Sequence, residues 1–254
     1  MRAVSLFIVL LFLILTFSFM VSAYEETRNL SVILEGEEEL IIEAKSGYLQ
    51  IQQVDDTDQI TVEAVIRVDT GEKRAREIIE KKLKLSLEKR KNRIYLYSYF
   101  HSDFFGDSIK KGIDLFVKLP AIKRVDITAG SGAISIDGLD TDLNLVDGSG
   151  KIEIRDCSGE WNIKDGSGKI EISDCSGDWI IDDGSGDIMI NNMEGSLVLN
   201  DTSGGIDIYN FYGFIQLQDG SGPINLDGIE GDVVILEAGS GSLSLKNING
   251  NVEK

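Results

Sequence analysis

Five aspartates recur at intervals of 18 residues in the C-terminal half of the chain: Asp147, Asp165, Asp183, Asp201 and Asp219. Carboxylate oxygens are ligands that Ca²⁺ prefers, and glycine- and aspartate-rich β-rolls bind Ca²⁺ through repeated turns. The spacing here does not match the nonapeptide form of those turns. Backbone N–H groups of the Gly-Ser-Gly turn after each aspartate can take up its carboxylate instead. We therefore expect no metal site, and the five aspartates remain the Ca²⁺ candidates.

A serine recurs at nearly the same interval, at Ser131, Ser149, Ser167, Ser185, Ser203, Ser221 and Ser240. A serine nucleophile needs a neighbouring base such as histidine, and the one histidine of the chain, His101, lies outside the repeats. Seven equivalent serines are typical of a structural role. We predict a ladder of hydroxyl groups bonded from repeat to repeat, no catalytic residue and no cofactor.

Two further pairs of residues lie 18 positions apart, and each has alternative roles. Trp161 and Trp179 would offer a sugar-stacking platform if exposed, but they share a column with aliphatic residues such as Leu143, which predicts a core position. Cys157 and Cys175 would lie within the Cα separation that a disulfide allows, and an oxidising compartment would favour the bond. Their column is otherwise apolar, which favours buried free thiols, so both states stay open.

These recurrences belong to one 18-residue repeat that runs from residue 130 to residue 254. Each repeat carries two apolar–polar–apolar triplets, for example Ile152-Glu153-Ile154 and Trp161-Asn162-Ile163. This alternation is that of a strand with one buried face. Because such short strands cannot bury that face alone, successive repeats must stack. The sequence predicts an all-β fold with one short helix: a single-domain parallel β-solenoid with 18 residues and two short strands per rung, and seven regular rungs.

Glycines mark the corners between the predicted strands. One corner is Asp-Gly-Ser-Gly, and the other has a glycine column at residues 159, 177, 195, 213, 231 and 250. Glycine permits the positive φ angles that tight corners need. The sixth repeat is one residue longer than the others, which predicts a β-bulge near residues 233–236.

Residues 24–129 are predicted to form a β-rich cap that contains a divergent first rung. Ser46–Ile51 matches Ser149–Ile154 position by position, so this rung would span residues 39–66, with Ile60–Val62 as its second strand. The cap would hide one edge of the solenoid. At the other end the sequence stops within a rung, which predicts an edge that is bare or that self-associates.

Residues 67–125 would form an insertion between the divergent rung and the regular rungs. Glu72 to about Leu83 has helical periodicity, and Asp69 stands at capping-box spacing from Glu72. A predicted hairpin joins residues 84–88 to residues 93–99. The aromatic segment from Tyr95 to Phe105 either binds a partner or covers the first rung as a cap.

Residues 1–23 have the features of a secretory signal peptide. Arg2 precedes a long apolar run, and Val21-Ser22-Ala23 offers small residues for cleavage. The run also approaches the length that crosses a bilayer, so an uncleaved anchor is the alternative, and it would be the only contact with a membrane. Both alternatives predict an extracytoplasmic protein.

The charge of the chain is concentrated in the repeats. Residues 1–129 hold 19 basic and 20 acidic residues, whereas residues 130–254 hold 6 and 23. An acidic surface of this kind repels phosphate backbones, so we expect no nucleic-acid partner. It also keeps a long β-surface soluble.

The repeated Gly-Ser-Gly-x-Ile-x-Ile turn, with the leader and the mixed N-terminal region, resembles the putative-adhesin families of bacterial surface proteins that are related to head GIN domains. The resemblance covers residues 40–254, and its motifs are Gly148–Ile154, Gly166–Ile172, Gly184–Ile190 and Gly220–Leu226. It implies a β-solenoid with an adhesive role at the cell surface. It offers no active-site motif to carry over.

Three functions follow as hypotheses. The first is a non-enzymatic, adhesin-like interaction or structural protein whose partner is a protein or a glycan at the cell surface. The second is a Ca²⁺-loaded scaffold, and the third is a polysaccharide-active enzyme, because parallel β-helices can host such sites. A flank pocket in which acidic and basic groups converge would favour the enzyme.

Overall fold

The computed structural model describes residues 23–101 and 108–254. The predicted leader, residues 1–23, lies outside the described residues except for Ala23. No helix in the described part of the chain is long and apolar enough to span a membrane. The N-terminal elements are β1 (Tyr24–Ile33), β2 (Glu39–Ser46), β3 (Leu49–Gln53), β4 (Gln59–Val68), α1 (Glu72–Lys82), β5 (Leu83–Arg90), β6 (Arg93–Phe100) and β7 (Lys111–Leu119).

The repeats supply a continuous series of strands. They are β8 (Arg124–Ser131), β9 (Ile134–Asp137), β10 (Asp142–Asp147), β11 (Ile152–Arg155), β12 (Ser158–Asp165), β13 (Ile170–Asp183), β14 (Ile188–Asp201), β15 (Ile206–Asp219), β16 (Ile224–Glu230), β17 (Val233–Ala238), β18 (Leu243–Asn249) and β19 (Val252–Glu253). The predicted boundary at residue 130 falls within β8, and rungs lie on both sides of it.

Residues that are 18 positions apart lie directly above one another in parallel strands. Ile152 pairs with Ile170, and Ile170 pairs with Ile188. The isoleucines of these inward columns are between 0% and 2% exposed, so each stabilises the fold by about 1.5–3 kcal/mol. The predicted parallel β-solenoid is confirmed, with about seven turns of about 18 residues.

The two strands of a rung lie on two different faces of the solenoid. The first face is built from β9, β11, the first halves of β13–β15, β16 and β18. The second face is built from β8, β10, β12, the second halves of β13–β15, β17 and β19. In the three middle rungs the two strands run into each other as one bent strand of 14 residues.

The bend between the two faces uses a left-handed residue that is not glycine. This residue is Asp156, Asp174, Asn192 or Asn210, with φ between 52° and 57°. Asp and Asn tolerate this conformation better than other side chains. The next residue then points inward, which explains the apolar column of Cys157, Cys175, Met193 and Phe211.

The N-terminal region is threaded differently from the prediction. Leu49 and Ile51 pair with Ile134 and Ile136, so β2 and β3 do form a divergent rung beneath β8 and β9. The assignment of Ile60–Val62 to that rung was wrong, because β4 runs antiparallel to β1 and β7. Residues 67–125 are also more than an insertion, because β6 and β7 stack in parallel beneath β2 and β3 as a further rung.

Antiparallel strands and the helix complete this end of the solenoid. β5 pairs with β6 in the predicted hairpin, and α1 buries Ala75, Ile78 and Ile79 in the core. The predicted capping box was wrong: Gly71 is the N-cap, and no side chain caps the helix. Ion pairs one turn apart, Glu72–Arg76 and Glu77–Lys81, support the exposed side of α1 instead.

At the other end, the predicted bulge is confirmed. The pairing of β15 with β17 shifts after Leu217, which leaves Leu236 as the extra residue, 58% exposed. Beyond it, β18 pairs with β16, and Leu243, Leu245 and Ile248 are only half-buried. Self-association through this edge stays a prediction.

Candidate functional site

The five aspartates point into the solenoid at the Gly-Ser-Gly corner. They pair in register from Asp147 to Asp219 and are between 0% and 6% exposed. Asp201 and Asp219 accept hydrogen bonds from the N–H groups of Ser203 and Ser221, both at 3.0 Å, as the predicted turn requires. The lower three carboxylates, those of Asp147, Asp165 and Asp183, have no hydrogen-bond partner on either oxygen.

Burial changes the ionisation of these aspartates. It raises the pKa of Asp147, Asp183 and Asp201 to about 6, and neighbouring carboxylates of the column add to the shift. Burial also raises the pKa of Asp165 and Asp219. Backbone N–H groups of the residues that follow each aspartate lower its pKa in part. At the lower three rungs these N–H groups do not reach hydrogen-bond geometry. Among the described residues, no three His, Cys, Asp or Glu side chains form a group that could hold a metal ion. The expectation of no metal site stays a prediction, and Ca²⁺ binding by the column stays the alternative.

The serine column does not form the predicted ladder of hydroxyl groups. Only Ser203 Oγ, among the seven described serines of this column, makes a hydrogen bond, to Gly184 O at 3.5 Å. The rungs are joined at this corner by the backbone instead, for example from Gly168 N to Ser185 O at 2.9 Å. The predicted hydroxyl ladder is therefore wrong, because backbone hydrogen bonds join the rungs at this corner.

The two tryptophans are core residues, as predicted. Trp161 and Trp179 are 2% and 1% exposed, and their rings stack at 4.5 Å with an interplanar angle of 4°. The Trp161 Nε1–H donates to Thr141 O at 2.8 Å. Because the ring faces are turned toward each other inside the solenoid, they cannot stack on a sugar.

The two cysteines are buried and reduced in this structure. The thiols of Cys157 and Cys175 lie 2.9 Å and 3.0 Å from the carbonyl oxygens of Arg155 and Ser173. Hydrogen bonding to Cys175, together with burial, raises the pKa of the Cys157 thiol. Free thiols stay the prediction, and a disulfide between the two cysteines stays the alternative.

The second face carries a groove that the sequence analysis did not single out. This flank groove has a volume of about 480 Å³ and is lined by outward side chains of successive rungs. Asp142, Glu160 and Asp178 form one column of the lining, and Asn144 and Asn162 form the next column. Arg124 lies at one end. At its other end Ile180 and Val198 make the lining apolar. The polar residues in the middle of the second apolar–polar–apolar triplets, such as Asn162, were the sequence signal that could have revealed this groove.

Hydrogen bonds order the flank groove between rungs. The Asp142 carboxylate accepts from the Glu160 N–H at 3.2 Å, and Asn144 Nδ2 donates to Asp126 Oδ1 at 2.9 Å. The Asn162 Oδ1 atom has no partner. Arg124 pairs with Asp126 at 3.0 Å, so the basic group at the end of the groove is already neutralised.

The structure is compatible with both predicted roles of the aromatic strand β6, which are to bind a partner and to cover the first rung. Its backbone forms part of the lowest rung, while the rings of Tyr95, Tyr97 and Tyr99 face outward and are half-buried. Arg90 lies over the rings of Tyr95 and Tyr97, at 5.2 Å and 5.5 Å from their centroids. The rest of the aromatic run, with Phe104 and Phe105, lies outside the described residues.

Comparison with protein families gives one decisive result. The Toastrack DUF4097 family model matches residues 37–211, which is more than half of the chain. The chain belongs to this family. The match covers the divergent rung, most of the cap and the first regular rungs of the Toastrack solenoid, so the resemblance inferred from its turns is confirmed.

The Toastrack chain is also similar to solved structures of bacterial proteins, each at 12% identity. A putative adhesin from Bacteroides fragilis has a TM-score of 0.39, with 90% of this chain and 96% of that one covered. A putative cell adhesion protein from Clostridium sporogenes has a TM-score of 0.36, with 87% and 99% covered. A putative lipid binding protein from Parabacteroides distasonis has a TM-score of 0.32, with 91% and 97% covered. No curated protein matches the Toastrack chain.

Proposed function

We propose that this Toastrack protein is a non-enzymatic interaction protein outside the cytoplasm, and that its flank groove binds a protein or a glycan at the cell surface. The observation that carries the proposal is the groove itself. Successive rungs place a carboxylate beside a carboxamide, in Asp142 with Asn144 and in Glu160 with Asn162. Such paired groups recognise a ligand through several hydrogen bonds at once.

The chemistry of the flank groove favours a partner that donates hydrogen bonds. Its carboxylates can only accept hydrogen bonds, and they are the exposed charged groups of the groove lining. Hydroxyl-rich glycans and basic protein surfaces both supply such donors. The stacked strands beneath the groove hold these side chains at fixed positions, so little conformational entropy is lost on binding.

The flank groove is poorly suited to catalysis. Its single basic residue, Arg124, is paired with Asp126. The one histidine of the chain, His101, lies beyond β6 and is not part of the groove lining. Acid–base hydrolysis by two carboxylates is the remaining route, because Asp142, Glu160 and Asp178 lie in one column. The polysaccharide-active enzyme therefore stays as the alternative.

Binding of the fluorescently labelled full chain to intact bacterial cells tests the proposal. The groove variant replaces three carboxylates by amides, Asp142→Asn, Glu160→Gln and Asp178→Asn. The control variant makes the same change of charge on the first face, with Glu153→Gln, Glu171→Gln and Asp207→Asn. We expect the groove variant to lose about tenfold or more in affinity, which is the equivalent of one or two hydrogen bonds, and the control to bind normally.

The outcomes separate the candidate functions. Loss of binding after protease treatment of the cells identifies a protein partner, and competition by cell-wall oligosaccharides identifies a glycan. Equal loss in the two variants would refute the flank groove as the binding surface. Release of reducing ends from a polysaccharide by the wild type, but not by the groove variant, would instead establish the enzyme.

The extracytoplasmic location is part of the proposal and has its own test. It is supported by the apolar run that precedes Val21-Ser22-Ala23. Expression of the full chain, cell fractionation and sequencing of the N-terminus should give a protein outside the cytoplasm that begins at Tyr24. An intact N-terminus in the membrane fraction would indicate the anchor, and a cytoplasmic protein would refute the location.

A further inference from the structure

The five buried aspartates form an isolated column of like charge inside the solenoid. In-register pairing stacks these aspartates on strands that lie about 4.8 Å apart along the axis. The equivalent position is Ala238 in the rung above Asp219, and it is alanine again in the paired lower rungs, at Ala44 and Ala129. The column is thus a bounded set of five acidic groups.

Nothing in the described part of the chain neutralises this column. Among the described residues, no ion pair joins any of the five aspartates to a basic side chain, and eight of their ten carboxylate oxygens are buried without a hydrogen-bond partner. The charged groups that act on the column are themselves acidic: the neighbouring aspartates of the column, Asp187 beside Asp201, and Glu237 beside Asp219. A fully ionised column would therefore be both desolvated and self-repelling.

We propose that this column is a proton-binding site, in which a protonated carboxyl group of one rung donates its O–H to the carboxylate of the next. Each bound proton removes one charge and supplies the donor that the unpartnered oxygens lack. Hydrogen bonds from a carboxylic acid to a carboxylate are among the strongest in proteins. Alternate protonation along the five rungs removes every direct repulsion with only two bound protons.

The direction of the pKa shifts sets the pH range in which the site acts. Burial raises the pKa of Asp147, Asp183 and Asp201 to about 6, whereas an aspartate in an unfolded chain titrates near 3.9. Between about pH 4 and pH 6 the folded state consequently holds more protons than the unfolded state, and its stability rises as the pH falls. The gain is complete below the unfolded pKa and is lost as the pH rises through about 6.

Thermal unfolding of the full chain between pH 4.5 and pH 8 tests the proposal. We expect the wild-type Tm at pH 5 to exceed that at pH 7.5 by about 5 °C or more. In Asp183→Asn, an amide donates permanently to the neighbouring carboxylates, so the Tm at pH 7.5 should rise and its dependence on pH should flatten. The control Asp182→Asn removes the same charge from the adjacent outward position and should keep the wild-type pH profile.

A second measurement does not depend on any variant. Carboxyl-carbon NMR of the wild type should show aspartates that titrate above pH 5, and fewer of these signals should remain when Asp147, Asp165 and Asp183 are all replaced by Asn. A wild-type Tm that does not change between pH 5 and pH 7.5, or carboxyl carbons that all titrate near pH 4, would overturn the proposal. So would a rise in Tm on addition of Ca²⁺ at pH 7.5 that Asp183→Asn abolishes, because the column would then bind the metal.

Discussion

The glycine column at the Gly-Ser-Gly corner offers the sharpest test of the stacking itself. Gly186 has φ of 140°, and a Cβ atom there would lie 1.6 Å from the carbonyl oxygen of Gly168 in the rung below. Real Cβ contacts are essentially never under 3.0 Å. Gly186→Ala would therefore require the Cβ atom and the Gly168 oxygen to move about 1.4 Å further apart, from 1.6 Å to 3.0 Å, which separates the two rungs. The bond from Gly168 N to Ser185 O, at 2.9 Å, joins these two rungs at this corner.

Gly36 provides the matched control for this substitution. Its φ of 123° is equally unfavourable for alanine, but no atom lies within 4 Å of the position that its Cβ would take. Gly36→Ala should therefore cost only the strain of the backbone, about 1–3 kcal/mol. Gly186→Ala adds broken ladder hydrogen bonds at about 0.5–1.5 kcal/mol each and lost packing, for a total of more than about 4 kcal/mol.

Urea unfolding of the wild type and of the two variants, followed by circular dichroism, measures this difference. The midpoint should fall much further for Gly186→Ala than for Gly36→Ala, and the slope should stay similar if the solenoid unfolds as one unit. Equal destabilisation by the two substitutions would refute the reasoning. It would mean that the glycines are needed only for their φ angles and that the close approach of the rungs is not important.

Three further predictions concern the core and the ends of the solenoid. Ile190→Ala, in a middle rung, should cost about 2–5 kcal/mol in urea unfolding, whereas Leu245→Ala, in the half-buried last rung, should cost clearly less; equal costs would contradict the rung order. The intact mass should be the same with and without reductant if Cys157 and Cys175 are free thiols, and a mass lower by two hydrogen atoms before reduction would establish the disulfide. If the last rung self-associates, light scattering should show a dimer that Leu245→Lys dissociates, and a monomer at all concentrations would exclude this association.

The regular part of the fold could be predicted from the sequence because every rung repeats the same pattern of apolar, polar and glycine residues. Ile152 and Ile154 alternate with Glu153, and the next rung repeats the pattern 18 residues later, so the period itself gives the register. Trp161 and Trp179 could be assigned to the core for the same reason, because aliphatic residues occupy their column in other rungs. The inward aspartates were equally visible as a column, although their lack of hydrogen-bond partners was not.

The N-terminal threading could not be read in the same way. β6 and β7 precede the regular rungs in the chain, yet they stack below β2 and β3 rather than between those strands and β8. Strand pairing over such distances depends on which edges are free when the chain folds, and residue types do not encode it locally. The sequence did not predict that Ile60–Val62 lies in an antiparallel strand, because apolar–polar alternation is the same in parallel and antiparallel strands.

The sequence by itself determined the repeat, the inward and outward positions of each strand, and the concentration of acidic residues in the solenoid. These features follow from local periodicity and composition, and they recur in every rung because the rungs stack at the period of the repeat. Only the tertiary structure decided that glycine is needed at the corner for the approach of the rung below. It also brought Asp142, Glu160 and Asp178 into one groove and left the buried aspartates without donors. Such properties depend on distances between atoms of different rungs, and those distances exist only after the chain has stacked.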